Sequence, residues 1–194
     1  MLLGDPPLLT SGLIYAWRKM KLTICDLRDD CVSALELCFQ RVTNVKVRKC
    51  DLTKVRADAW GTAGNSFGDM GGGVDRAIDQ KFEGAAQKKV QQAIRSEFYG
   101  ELPVGTAVLV RPNPKLPALI YAPSMRVPGL LGPSINAYLA TRTLLITAGP
   151  EQCGKPCLPG LRNRDRRAGA RRCGRLNVPS VPSDRPGRMA PCPA

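Results

Sequence analysis

Three consecutive glycines, Gly71–Gly73, stand between a short apolar run, Ala57–Thr62, and a segment whose Val74, Ile78 and Phe82 recur every four residues. The run has the length of a strand, and the period after the glycines is helical, so the glycines join a strand to the first turn of a helix. Glycine lets the backbone approach a partner closely. The first N–H groups of a helix have no partner within it, and the helix dipole favours an anion there. Taken alone, three glycines are equally well read as a flexible turn.

The chain up to residue 148 repeats this alternation. Lys21–Asp26 reads as a strand, with Leu22 and Ile24 alternating against Thr23 and Cys25. Asp29 or Asp30 is placed to cap a helix running to about Arg41, with Val32, Leu35 and Cys38 on one face. Val45 and Val47 mark a second strand. A helix begins near Gly73, and another spans about Ala85–Tyr99 with Val90, Ile94 and Phe98 on one stripe. Pro103 and Gly105 punctuate a turn before strands at Thr106–Val110 and Leu119–Ala122. Ser134 reads as the N-cap of a helix carrying Ile135, Tyr138 and Leu139. Strands alternating with helices predict a layered α/β fold with a mixed, mostly parallel sheet.

Four local stretches, in order, resemble the macrodomain family. Gly64-Asn65 followed by Gly71-Gly72-Gly73-Val74 resembles its first ligand loop, an Ala-Asn pair before Gly-Gly-Gly-Val. Cys50-Asp51-Leu52-Thr53 is similar to its Gly-Asp-Ile-Thr turn. Gly100–Ala107 is similar to its Gly-x-x-Pro-x-Gly-x-Ala stretch. Tyr121–Pro128 resembles a segment of the branch often found in phage tail-associated macrodomains. The likeness covers about two-thirds of the chain. It implies a three-layer α/β/α domain that binds ADP-ribose or an ADP-ribosyl group. It also implies roles for single residues. Asp51, with Leu52, would meet the adenine amino group, and Asn65 the distal ribose. Gly71, Gly72, Gly73 and the Val74 amide would line the ribose and diphosphate. Asp75, ten residues after Asn65, stands where hydrolases of the family carry a catalytic aspartate beside that asparagine. The resemblance therefore extends to ADP-ribosyl hydrolase or ADP-ribose 1''-phosphate processing activity, with Asn65 and Asp75 as the catalytic pair. Thr62 replaces the family's first asparagine, and Asp79 its histidine, which weighs against hydrolysis.

The family's second glycine-rich loop is absent. Pro159-Gly160-Leu161 begins like it, but Arg162 to Arg167 follow. Codons can be chosen for Gly160–Arg167 that, read one base later, encode Gly-Leu-Gly-Thr-Gly-Ile-Gly. The expectation is a frame slip between Ala148 and Pro159. Residues 149–194 hold ten basic and three acidic residues, eight prolines and no aromatic ring. Such a tail buries little apolar area and is expected to be disordered. The predicted organisation is thus an N-terminal extension at 1–19, with Met20 as the true start, an incomplete macrodomain at 20–148 lacking its C-terminal strand and helix, and a basic tail.

The net charge of +13 places +7 in that tail, so the rest does not demand nucleic acid as partner. The absence of histidine excludes a Ser-His-Asp triad and any His-ligated metal. The eight cysteines read as reduced, in a cytoplasmic protein of a bacterium or its phage. Cys153-x3-Cys157 is a weak zinc signal without a second close pair, and no metal or cofactor is expected. Two other functions stay open: a non-catalytic phage tail accessory protein with the same fold and tail-protein partners, and a basic nucleic-acid-binding protein.

Overall fold

The structure, a computed structural model, describes residues 20–129, 134–149 and 153–160. In chain order it runs β1 (Leu22–Asp26), α1 (Asp29–Phe39), β2 (Val45–Lys49), a short 3-10 turn (Leu52–Lys54) and β3 (Ala59–Thr62). There follow α2 (Gly73–Lys81), α3 (Ala85–Phe98), β4 (Val108–Val110), β5 (Ala118–Tyr121), α4 (Asn136–Ala148) and β6 (Pro156–Pro159). The described strands form one six-stranded sheet in the order β2-β1-β6-β3-β5-β4. All neighbours are parallel except β4 on β5. The expected α/β class and mostly parallel mixed sheet are what the structure shows.

Successive strand residues point to opposite faces, and both faces are covered. Cys25, Trp60, Leu119, Tyr121 and Cys157 face α2 and α3, which contribute Ile78, Phe82, Val90 and Ile94. Ile24, Ala59, Ile120 and Leu158 face α4, which contributes Ala140, Leu144 and Ala148; Leu35 and Phe39 of α1 pack on the same layer. Trp60 meets Phe82 edge to face, their ring centroids 5.8 Å apart.

The main correction concerns residues after Ala148. The strand expected to be missing is β6, and it lies in the middle of the sheet between β1 and β3. Cys157 is fully buried on one face and Leu158 on the other. A Cβ on Gly61 would overlap Leu158 Cδ2, so β3 lacks a side chain where Leu158 packs. The sheet thus extends beyond the expected boundary at Ala148, through Pro159. The expected absence of a C-terminal helix, the tail after Gly160 and the extension at 1–19 fall on residues outside those described.

Smaller differences concern helix ends. Residue Arg28, not an aspartate, is the N-cap of α1. Asp29 and Asp30 occupy the first turn, where they complement the dipole, and Asp30 pairs with Arg28 at 2.6 Å. Ile135 is the N-cap of α4, with Ser134 Oγ accepting from Asn136 N at 3.5 Å. Ile135 and Tyr138 are exposed, because α4 buries its Ala140–Leu144–Ala148 stripe instead. Cys38 likewise faces outward. No helix among the described residues is long and apolar enough to cross a membrane.

Candidate functional site

Because five strands run parallel, their carboxyl ends share one edge of the sheet, where ligands of open α/β folds bind. The sequence-predicted residues converge on that edge. Asp51 and Leu52 follow β2, the loop from Asn65 to Gly73 follows β3, and Ser124 and Met125 follow β5. Strand β6 delivers Gly160 to the same edge, between the ends of β1 and β3.

Asp51 caps the 3-10 turn. Its Oδ1 accepts from the Thr53 amide at 2.9 Å and the Thr53 hydroxyl at 2.8 Å. Its Oδ2 has no hydrogen bond among the described residues. Leu52 is buried beneath the turn and fixes it to the core.

Asn65 shapes the loop. Its Oδ1 accepts from Phe67 N at 3.0 Å and, more weakly, from Asp69 N at 3.4 Å; its Nδ2 donates to Asp69 O at 2.9 Å. Its backbone is held by Tyr121, whose hydroxyl accepts from Asn65 N at 2.9 Å and donates to Asn65 O at 2.8 Å. Sequence reasoning assigned Tyr121 no role. The signal was available, since a tyrosine in a fully buried strand needs a partner for its hydroxyl. Burial pushes the Tyr121 phenol well above its usual range, with the Asp75 charge acting in the same direction.

Asp75, in the first turn of α2, is 8% exposed. The Thr62 hydroxyl donates a short hydrogen bond to its Oδ1. Thr62 thus holds the carboxylate from the end of β3. Burial pushes the Asp75 carboxyl up from 3.8 to about 6; the Thr62 bond opposes the rise and the Asp69 charge adds to it. A Cβ on Gly64 would overlap the Tyr121 hydroxyl and lie 2.8 Å from Asp75 Oδ2. An alanine at that position therefore cannot be accommodated beside this tyrosine and aspartate.

The glycines differ from one another. Gly71 N donates to Asp69 Oδ1 at 3.0 Å. Gly73 has φ +56°, a conformation that glycine adopts without strain. Gly72 is the N-cap of α2 with φ −134° and ψ 154°, which any residue adopts. A Cβ on Gly72 would meet nothing within 4 Å. Val74 packs against the core below, leaving its amide in the first turn of the helix.

Cys153 and Cys157 do not form a metal pair. They belong to core layers on opposite faces of the sheet. At the other end of the strands, Lys54, Arg56, Lys81 and Lys115 surround an open groove of about 460 Å³ with Asp58 and Trp60. Asp58 Oδ2 accepts from the Lys155 amide at 2.9 Å. This groove stands at the amino ends of β3 and β5, away from the glycines.

No family model matches the chain. An uncharacterized protein of Aquifex aeolicus is 32% identical over 119 residues, which cover 61% of this chain and 68% of that protein. The chain belongs to that protein's family. An Aeropyrum pernix protein is 34% identical over 113 residues, 57% of this chain and 56% of its own length. A Sulfurisphaera tokodaii protein is 41% identical over 61 residues, 31% of this chain and 32% of its own. The chain therefore spans about half and about a third of those two relatives. Among solved structures it is similar to the macrodomain of Mycobacterium tuberculosis DarG, at 18% identity and a TM-score of 0.46 over 58% of this chain and 72% of that one. The macrodomain of Thermus aquaticus DarG is 16% identical with a TM-score of 0.47, over 59% and 76%. An Oceanobacillus iheyensis macrodomain mutant with ADPR is 20% identical with a TM-score of 0.40, over 57% and 81%.

Proposed function

We propose that the chain binds ADP-ribose, or an ADP-ribosyl group on a larger molecule, at the carboxyl edge of its sheet. The observation that carries this reading is Gly72. Neither its backbone angles nor its neighbours require glycine. A missing side chain at the mouth of a helix N-terminus makes sense if a ligand's phosphate closes on the backbone there. Asp51 Oδ2 is placed to accept from an adenine amino group. Asn65 serves by holding the loop open to the ribose, with one amide N–H left for it. Asp75 is the residue on which hydrolysis would depend, with its carboxyl near 6 suited to a general base at neutral pH.

Calorimetry with ADP-ribose tests the reading. Gly72→Val is expected to lower the melting temperature by only a few degrees, through loss of a favourable N-cap, and to weaken binding at least tenfold. Equal affinity in the two proteins would refute a ligand at this helix. In the same samples, Asp75→Ala is expected to bind ADP-ribose yet release none from an ADP-ribosylated substrate.

The basic groove favours a second reading, an anionic polymer such as nucleic acid bound at the opposite edge. Four cations facing one open groove supply the charge. Binding of a labelled oligonucleotide would then fall steeply with added salt and be lost on reversing Lys54 and Arg56 to glutamate. Salt-insensitive binding, or none, would leave the groove without this role.

A further inference from the structure

Three cysteines meet on the sheet face beneath α2 and α3. Cys25 sits on β1, in register with Arg48 of β2 and Pro159 of β6. Its diagonal neighbours on the same face are therefore Cys50, one residue beyond β2, and Cys157 of β6. The Cys25 Sγ lies 3.1 Å from Cys50 Sγ and 3.5 Å from Cys157 Sγ. None of the three is in a disulfide. We propose that Cys50 and Cys25 are a redox site, joined by a reversible disulfide when a hydroperoxide reaches Cys50.

Three features select this pair. Cys50 is half-buried, whereas Cys25 and Cys157 are buried, so an oxidant meets Cys50 first. Cys50 lies past the end of its strand, held there by one backbone bond from its amide to Asp26 O at 3.2 Å. A shift of about 1 Å at a strand end brings the sulfurs to bonding distance. Cys157, by contrast, is pinned between two ladders in the middle of the sheet.

In the first step the Cys50 thiolate attacks one peroxide oxygen. The O–O bond breaks, Cys50 becomes a sulfenic acid, and water or an alcohol leaves. In the second, Cys25 Sγ attacks the Cys50 sulfur. The S–S bond forms, the S–O bond breaks, and the oxygen leaves as water with the Cys25 proton. Two thiols have lost two electrons to one peroxide. Burial, together with the Cys25 hydrogen bond, pushes the Cys50 thiol up to about 11, with Arg48 opposing and Asp51 adding to the rise. The first step is accordingly slow at neutral pH and is best driven at pH 9.

The full chain, reduced and then treated with hydrogen peroxide at pH 9, is expected to contain tryptic peptide Leu22–Arg28 linked to Cys50–Lys54. Dithiothreitol separates the two. Cys50→Ser abolishes the link and Cys38→Ser leaves it. Cys38, exposed on α1, is the internal control for the oxidant. Oxidation of Cys38 while Cys25 and Cys50 remain alkylatable thiols would overturn the proposal. So would a link from Leu22–Arg28 to the Cys157 peptide, Thr143–Arg162.

Discussion

A chain ended after Ala148 is expected to show no cooperative unfolding transition, whereas one ended after Gly160 melts sigmoidally. The difference is twelve residues that carry β6. Without them the six-stranded sheet divides into β2-β1 and β3-β5-β4, because β6 pairs with both β1 and β3. A two-stranded pair is at best marginal in water. The cut exposes two unpaired parallel edges, which invite association with other chains. Both core layers are opened as well, since Cys157 fills one and Cys153 and Leu158 fill the other. Burying one leucine side chain contributes about 2 kcal/mol, and a domain as a whole is stable by only about 5–15 kcal/mol. Losing the side chains and both ladders together exceeds that margin. Circular dichroism melts of the two chains check the expectation. A sigmoidal melt of the shorter one would mean that β1 and β3 close the gap without β6.

The sequence conceals β6 for a physical reason. Pro156-Cys157-Leu158-Pro159 begins and ends with proline, which cannot donate to a ladder and is uncommon in central strands. Here the two prolines sit at the strand's first and last positions, and two residues between them fill the core. The surrounding arginine and proline made the whole segment read as a tail. Strands β1, β2, β4 and β5 were legible because each has at least two apolar residues at strand spacing, and α2 and α3 because Ile78, Val90 and Ile94 keep a helical period. The stripe of α4 was misplaced for the opposite reason. In Asn136–Ala148 apolar residues are spread around the helix with little segregation, so periodicity does not distinguish Ile135 and Tyr138 from Ala140 and Leu144.

At the candidate site, glycines and acids could be named from the motif, and the structure brings them to one edge. What holds them could not be named. Asn65 is tied to Tyr121 across 56 residues and Asp75 to Thr62 across 13, pairings that no local spacing reveals. Gly64 shows how far this reaches. The missing side chain makes room for the Tyr121 hydroxyl that anchors the loop.

Replacing Asp75 by asparagine is expected to stabilise the protein above pH 6 and to do little near pH 4. The folded carboxyl is raised to about 6 from 3.8, chiefly by burial. Between these values the folded chain binds more protons than the unfolded one, so stability falls as pH rises. Below about 4 both states are protonated and the contribution is intact; above about 6 it has been lost. That rise in the carboxyl's pKa corresponds to about 3 kcal/mol, or roughly 6–12 °C in melting temperature for a chain of this size. Asparagine carries no charge to desolvate and keeps the Oδ1 acceptor that Thr62 requires. Thermal melts of Asp75→Asn and the parent from pH 4 to 8 should therefore diverge with rising pH. Parallel curves would show that the carboxylate is better solvated than its burial implies. Divergence would show that the buried carboxylate weakens the fold at neutral pH. Hydrolysis, where it occurs, would then rise through pH 6 as the same carboxylate ionises, so that the pH range in which the fold loses stability is the range in which the base becomes active.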